Sequence, residues 1–90
     1  MKIVVSKLFE TELKNILEEL AQQDYALTKQ FKMYLDTIIM NLPTKVKKYK
    51  KSIYFDNENI KDIEYQGCTI VFYIDEENDS YVILGITKKS

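Results

Sequence analysis

The stretch from Ile60 to Lys89 limits most narrowly what this 90-residue chain can become. It runs IKDIEYQG, CTIVFYID, a polar break EENDS, and then YVILGITKK. Cys68, Ile70, Phe72 and Ile74 alternate with Val71 and Tyr73, and Val82, Leu84 and Ile86 alternate with Tyr81 and Ile83, so both alternating faces are apolar. Segments of that kind are interior strands of a sheet. Glu76 to Ser80 bring three acids and an Asn, side chains suited to reversing the chain between antiparallel neighbours. With Ile60 to Tyr65 joined through the tight Gln66-Gly67 turn, a three-stranded meander is predicted.

The remaining elements have to cover that meander. Lys2 to Val5 reads as a short β-branched strand. Ser6 occupies an N-cap position, and Leu8, Phe9, Leu13, Ile16, Leu17 and Leu20 follow at mostly helical spacing, predicting an amphipathic helix that ends near Gln22-Gln23. Asp24 can cap a second helix, on which Leu27, Phe31, Tyr34, Leu35, Ile38 and Leu42 share a face. That helix is expected to stop near Leu42, because Pro43 disfavours α geometry in the residue before it. So short a link makes the two helices an antiparallel hairpin. Ala26, Met33, Thr37 and Met40 form a weaker stripe away from the core face; it is either tolerated surface or a docking surface suited to flexible thioethers.

The predicted fold is α+β in a single domain over residues 1–90: a helical hairpin packed on one face of a twisted, mainly antiparallel sheet of about four strands, in the order β-α-α-β-β-β. Phe9, Leu13, Ile16, Leu20, Phe31, Leu35 and Ile38 should meet the inward strand positions. Two segments stay open at this level. Ile53-Tyr54-Phe55 is a brief strand or a plug that packs a loop onto the core, and the far face of the sheet is either covered or a concave surface that receives a ligand or partner.

Composition bears chiefly on chemistry. Histidine is absent, which removes Ser-His-Asp and Cys-His catalysis and the commonest zinc ligand. Cys68 is the lone cysteine and lies in an apolar strand, so it reads as an inert buried thiol. All thirteen basic residues are lysine, so no guanidinium fork can grip phosphate or carboxylate. Asp75-Glu76-Glu77-Asn78-Asp79 lacks the spacing and central Gly of a calcium loop and reads as a solvated turn. Glu12, Glu18 and Glu19 read as a wet helix face. No metal and no small-molecule cofactor is therefore expected. Apolar runs such as Ile3 to Val5 fall well short of a membrane span or a secretory core, so a cytoplasmic protein without membrane contact is expected.

Charge is segregated along the chain. Residues 1–24 carry −2, residues 25–55 carry +6 and residues 56–90 carry −5. The densest basic part is Lys45, Lys47, Lys48, Lys50 and Lys51, either a solvated connection or the footprint of a nucleic acid or acidic target.

The run Asp56-Asn57-Glu58-Asn59-Ile60-Lys61-Asp62-Ile63-Glu64-Tyr65, leading into Gly67-Cys68-Thr69-Ile70-Val71-Phe72-Tyr73 and closing on Val82-Ile83-Leu84-Gly85-Ile86, resembles the RelE/ParE superfamily of bacterial toxins from type II toxin–antitoxin pairs. The resemblance spans nearly the whole chain, including the Leu42-Pro43 end of the second helix. It implies neutralisation by a cognate antitoxin and one of two activities: ParE-like poisoning of DNA gyrase, or RelE-like cleavage of mRNA on the ribosome.

RNA cleavage needs a base, an acid and cations at the phosphate. Here Thr69 holds a meander position that often carries Arg in the family, and the chain ends Lys88-Lys89-Ser90 without a terminal His or Tyr. Lys88, Lys89, Tyr73 and Tyr65 are the remaining catalytic candidates, and an ordinary lysine is a poor base at neutral pH. A gyrase-directed binder needs only a surface, for which Lys45, Lys47, Lys48, Lys50 and Lys51 are the candidates. The ParE-like reading is therefore preferred, with the mRNA endonuclease as the alternative and a degenerate, non-toxic binding module as the third. Met33 and Met40 are the expected antitoxin contacts, with the antitoxin's C-terminal segment lying across the hairpin and extending the sheet by β-addition.

Overall fold

The structure is a computed structural model and describes residues 1–88. Strand β1 (Lys2–Val5) is followed by helix α1 (Lys7–Gln23), helix α2 (Tyr25–Met40), a single helical turn α3 (Leu42–Lys45), and the meander β2 (Ile60–Tyr65), β3 (Cys68–Asp75) and β4 (Ser80–Lys88). The sheet order is β1-β4-β3-β2. Both pairings of the meander are antiparallel, while β1 returns to lie parallel to β4, with Lys2 opposite Ser80 and Val5 opposite Ile83. The predicted α+β architecture is thus the observed one.

Local chemistry sets the element boundaries. The Ser6 hydroxyl accepts from Phe9 N at 3.0 Å, and the Asp24 carboxylate accepts from Leu27 N at 3.1 Å, so each helix starts on its expected cap. Gln66 and Gly67 both have positive φ, 44° and 79°, the turn whose twist matches a two-residue hairpin. At the other hairpin Asp75 accepts from Asn78 N at 3.2 Å, and Asp79 takes a φ of 51°.

The core forms where the hairpin meets one sheet face. Phe9, Leu13 and Ile16 of α1 and Phe31 and Leu35 of α2 pack with Ile63, Tyr65, Ile70, Phe72, Tyr81, Ile83 and Ile86. The Phe72 ring sits edge-on to Tyr49 at 6.0 Å and to Tyr81 at 6.3 Å, three aromatics locked at the centre. Leu20 and Ile38, expected inside, are half-buried against this core.

Several expectations need correcting. Helix α2 ends at Met40, and Leu42-Pro43 opens α3 instead of closing α2. Proline is tolerated there because the first turn of a helix needs no N–H donor from it. Leu8, Leu27 and Tyr34 share helical faces with core residues yet are exposed, because the sheet is narrower than the stripe each helix offers. Ile53-Tyr54-Phe55 is neither strand nor buried plug: its residues are 82%, 56% and 46% exposed. The pairing onto β2 comes just before it, where Lys51 bridges Lys61, Ser52 N donates to Ile60 O at 2.7 Å and Asp62 N donates to Lys50 O at 3.2 Å.

Burial raises the ionisation of two phenols and the thiol. It pushes Tyr49 up, Tyr65 up with Tyr34 and Cys68 adding to the effect, and Cys68 up with the Lys88 ammonium offsetting part. The unfolded chain releases these protons first, at 9.0 for the thiol and 10.0 for the phenols. Their contribution is therefore complete below pH 9 and is lost as pH rises through the folded values. We expect urea midpoints to be flat through neutral pH and to fall above pH 9; a Cys68→Ala, Tyr65→Phe variant should show a shallower alkaline fall.

Candidate functional site

Three regions could do work: the outer side of the helical hairpin, the lysine segment after α2, and the sheet face that the hairpin leaves uncovered. The first is an open groove of about 720 Å³ between α1 and α2. Phe9, Leu13 and Leu17 form one wall, Thr28, Lys32, Asp36 and Met40 the other, and Val5 closes one end. Those α2 residues recur every fourth position, one continuous ridge. The Lys32–Asp36 pair is locked at 2.7 Å within it, so this wall carries balanced charge.

Met40 thus lies where a partner contact was expected and is 74% exposed. Met33, 55% exposed, borders an adjoining hollow with Tyr25 and Lys29 that shares Leu17, Thr28, Lys32 and Asp36 with the groove. Sequence reasoning found the methionines but missed the ridge and Leu17, which had been assigned inward. The signal was present in the i, i+4 series 28, 32, 36, 40, disguised by its mixture of polar and apolar residues. Beside the groove, β1 is the rim of the sheet, and its outer edge has no strand partner among the described residues.

The lysines do not form one uniform patch. Lys45, Lys47 and Lys48 sit around α3 and the turn after it, in a hollow with Pro43 and Thr44. Lys48, Lys50 and Lys51 instead line a cleft of about 380 Å³ together with Asp62 and Glu64. Lys51 is engaged by Asp56 at 3.0 Å and Glu58 at 3.6 Å. Asp62 Oδ2 accepts from Ile53 N at 3.2 Å, while Oδ1 is buried without a hydrogen-bond partner. Glu64 accepts from the Thr69 hydroxyl at 3.2 Å. The cleft is therefore mixed in charge, and Lys45, Lys47 and Lys48 are the part of the cluster that faces solvent without a carboxylate lining the same hollow.

The catalytic candidates are spread over the fold. Tyr65 lies on the helix-covered face, where its hydroxyl donates to Phe31 O at 3.0 Å and its ring packs 5.1 Å from that of Phe31. Tyr73 pairs with Ile60 at the far end of β3, on the opposite face. Lys88 stands opposite Cys68 and binds Glu19 at 3.0 Å. Lys89 lies outside the described residues. Thr69 is buried and bonded to Glu64, so its hydroxyl does not replace a cation. Tyr65, Tyr73 and Lys88 do not converge on a point where a scissile phosphate could sit, and their positions supply no base beside an acid.

Among the described residues no group of His, Cys, Asp and Glu could hold a metal ion, and no helix is long and apolar enough to cross a membrane.

Comparison with known proteins adds identity to this geometry. Residues 3–90 match the model of the family described as the ParE toxin of type II toxin-antitoxin system, parDE. Among solved structures, the chain is similar to the chromosomal ParDE toxin–antitoxin system from P. aeruginosa, with a TM-score of 0.74 at 11% identity, covering 100% of this chain and 97% of that one. It is also similar to the toxin–antitoxin complex RelBE2 from Mycobacterium tuberculosis, with a TM-score of 0.67 at 10% identity over 98% and 96% of the two chains. No curated protein matches its sequence.

Proposed function

This chain belongs to the ParE family of type II toxins, and from that premise we propose that it arrests growth by binding DNA gyrase in the cytoplasm, without cleaving RNA. One observation carries the choice between the two superfamily activities: the candidate acid, base and cation groups do not converge. The Tyr65 hydroxyl is committed to the Phe31 carbonyl inside the core, and Lys88 to Glu19. A protein that traps a target in a complex needs a complementary surface and no proton shuttle. The solvent-facing lysines after α2 supply one.

The antitoxin seat follows from the hairpin groove. We assign it to an amphipathic helix of the cognate antitoxin, with apolar anchors against Phe9, Leu13, Leu17 and Met40, followed by a strand added to the free edge of β1. Val4 and Val5, exposed on that strand, extend the apolar contact.

The direct test is a supercoiling assay in which purified chain is added to gyrase and relaxed plasmid, in parallel with translating ribosomes and a reporter mRNA. Loss of supercoiling with intact mRNA is expected. Unimpaired supercoiling together with cut mRNA would establish the RelE-like activity instead.

Changing Lys47, Lys48, Lys50 and Lys51 together to Ser is expected to leave the fold intact, since the side-chain pairs lost are exposed ones worth about 0–1 kcal/mol each. Toxicity on induction should fall; full toxicity in that variant would return these lysines to plain solvation.

A further inference from the structure

The sheet face away from the hairpin carries a second cleft, of about 340 Å³, that neither the antitoxin groove nor the lysine cluster explains. Leu8 of α1, Tyr54 and Phe55 of the loop, Val71 of β3 and Leu84 of β4 make it apolar, and Glu12 stands in its wall. Glu12 is the one charged residue among the described residues that line it, although the chain as a whole is rich in lysine.

The placement of that carboxylate is built into the fold. Strand β1 stops opposite Ile83, so the outer edge of β4 beyond that point has no strand beside it. Polar groups from α1 and its cap take over: the Ser6 hydroxyl donates to Leu84 O at 2.8 Å, and Glu12 Oε1 accepts from Ile86 N at 3.1 Å. A Cβ at position 85 would lie 2.7 Å from Glu12 Oε1, so glycine there lets the carboxylate approach. Register supports this reading, because Phe72 pairs with Ile83 and Val71 with Gly85, leaving Leu84 as the extra residue that turns β4 outward at the cleft.

A carboxylate held by one backbone N–H retains acceptor capacity for a ligand, and it is surrounded by apolar walls that weaken competition from water. The rim is also unusually apolar for a surface: Leu8 is 60% exposed and Tyr54 and Phe55 are about half exposed. A group that satisfies both features carries positive charge on a flat, weakly hydrated head that can lie on aromatic rings and binds a carboxylate with a fork of donors. That describes a guanidinium better than an ammonium. This chain contains only lysine cations and cannot fill the cleft itself.

We propose that the Leu8–Glu12–Tyr54–Phe55 cleft is a docking site for an arginine side chain presented by a partner protein, with the guanidinium on Glu12 and apolar flanking residues on the rim. The site is separate from the hairpin groove, so it can be occupied while an antitoxin helix lies in that groove. It stands whether or not gyrase is the target.

The test is an amide NMR titration of the whole chain with acetyl-Leu-Arg-Leu-amide and with the same peptide carrying citrulline, which keeps the shape and removes the charge. Saturable shifts at Gly85, Ile86 and Thr87 are expected with the arginine peptide, with the citrulline peptide about tenfold weaker. Glu12→Gln keeps an oxygen for the Ile86 N–H and should reduce the arginine peptide to the level of the citrulline one. Absence of saturable shifts at these amides, equal binding of the two peptides by the native chain, or an arginine preference that survives in Glu12→Gln would each overturn the proposal.

Discussion

Phe72→Ala is expected to destabilise the protein by about 3–5 kcal/mol, a large part of what holds a domain of this size together. Phe72 is fully buried, and its ring is the shared partner of Tyr49 and Tyr81. Truncation removes the transfer free energy of the ring, leaves a cavity between a loop residue and two strands, and breaks both edge-on contacts. At about 4–8 °C per kcal/mol for a chain of this length, the melting temperature should fall by roughly 15–30 °C. Ile53→Ala is the matched control. Its side chain is exposed, so its loss should change stability by no more than about 0.5 kcal/mol. Thermal unfolding followed by far-UV circular dichroism reads both, and a Phe72→Ala protein that melts with the native one would mean that the aromatic centre is not what binds sheet to loop.

The second large effect is on antitoxin binding. Leu17 and Met40 face each other across the hairpin groove from different helices, one half-buried and one exposed. Leu17→Lys with Met40→Lys puts two charges where an apolar helix face is expected to seat, and should weaken the complex by about 30-fold or more, the scale of losing a central anchor. Because Met40 lies on the surface and Leu17 at the margin of the core, the double variant should still fold. Met33→Lys alone should do less, since Met33 borders the adjoining hollow and not the groove itself. Titration calorimetry with the antitoxin's C-terminal peptide separates these cases; undiminished affinity in the double variant would place the antitoxin elsewhere.

What could be read from the sequence was what local chemistry decides. Ser6 and Asp24 cap helices because a short polar side chain before an apolar-periodic run has free N–H groups to satisfy, and both do so. Gln66-Gly67 was legible for the same reason, the turn geometry being set within a few residues. Periodicity also grouped residues correctly by face. It did not say how much of a face is covered: Leu8 follows the pattern of Phe9 and Leu13 and yet ends on the rim of a cleft, because coverage depends on sheet width and on where Tyr54 and Phe55 come to lie.

Contacts between distant residues were illegible for a physical reason. The parallel pairing of β1 with β4 and the Glu12–Ile86 hydrogen bond join positions more than 70 residues apart, and no local propensity encodes either. Glu12 therefore looked like one more acid on a wet face. The lysine segment was read as one block because charge is counted along the chain, whereas the structure divides it between the hollow at α3 and the cleft around Asp62.

The central claim, that this ParE-family toxin acts on replication by binding, is tested most directly by inducing the chain alone in a bacterial host and following thymidine and amino-acid incorporation side by side. The account predicts that thymidine incorporation falls first while amino-acid incorporation continues. An early fall in amino-acid incorporation would contradict it and point to cleavage of mRNA; steady incorporation of both, with the protein folded and abundant, would contradict it as well and mark the chain as a toxin fold that has lost its poison.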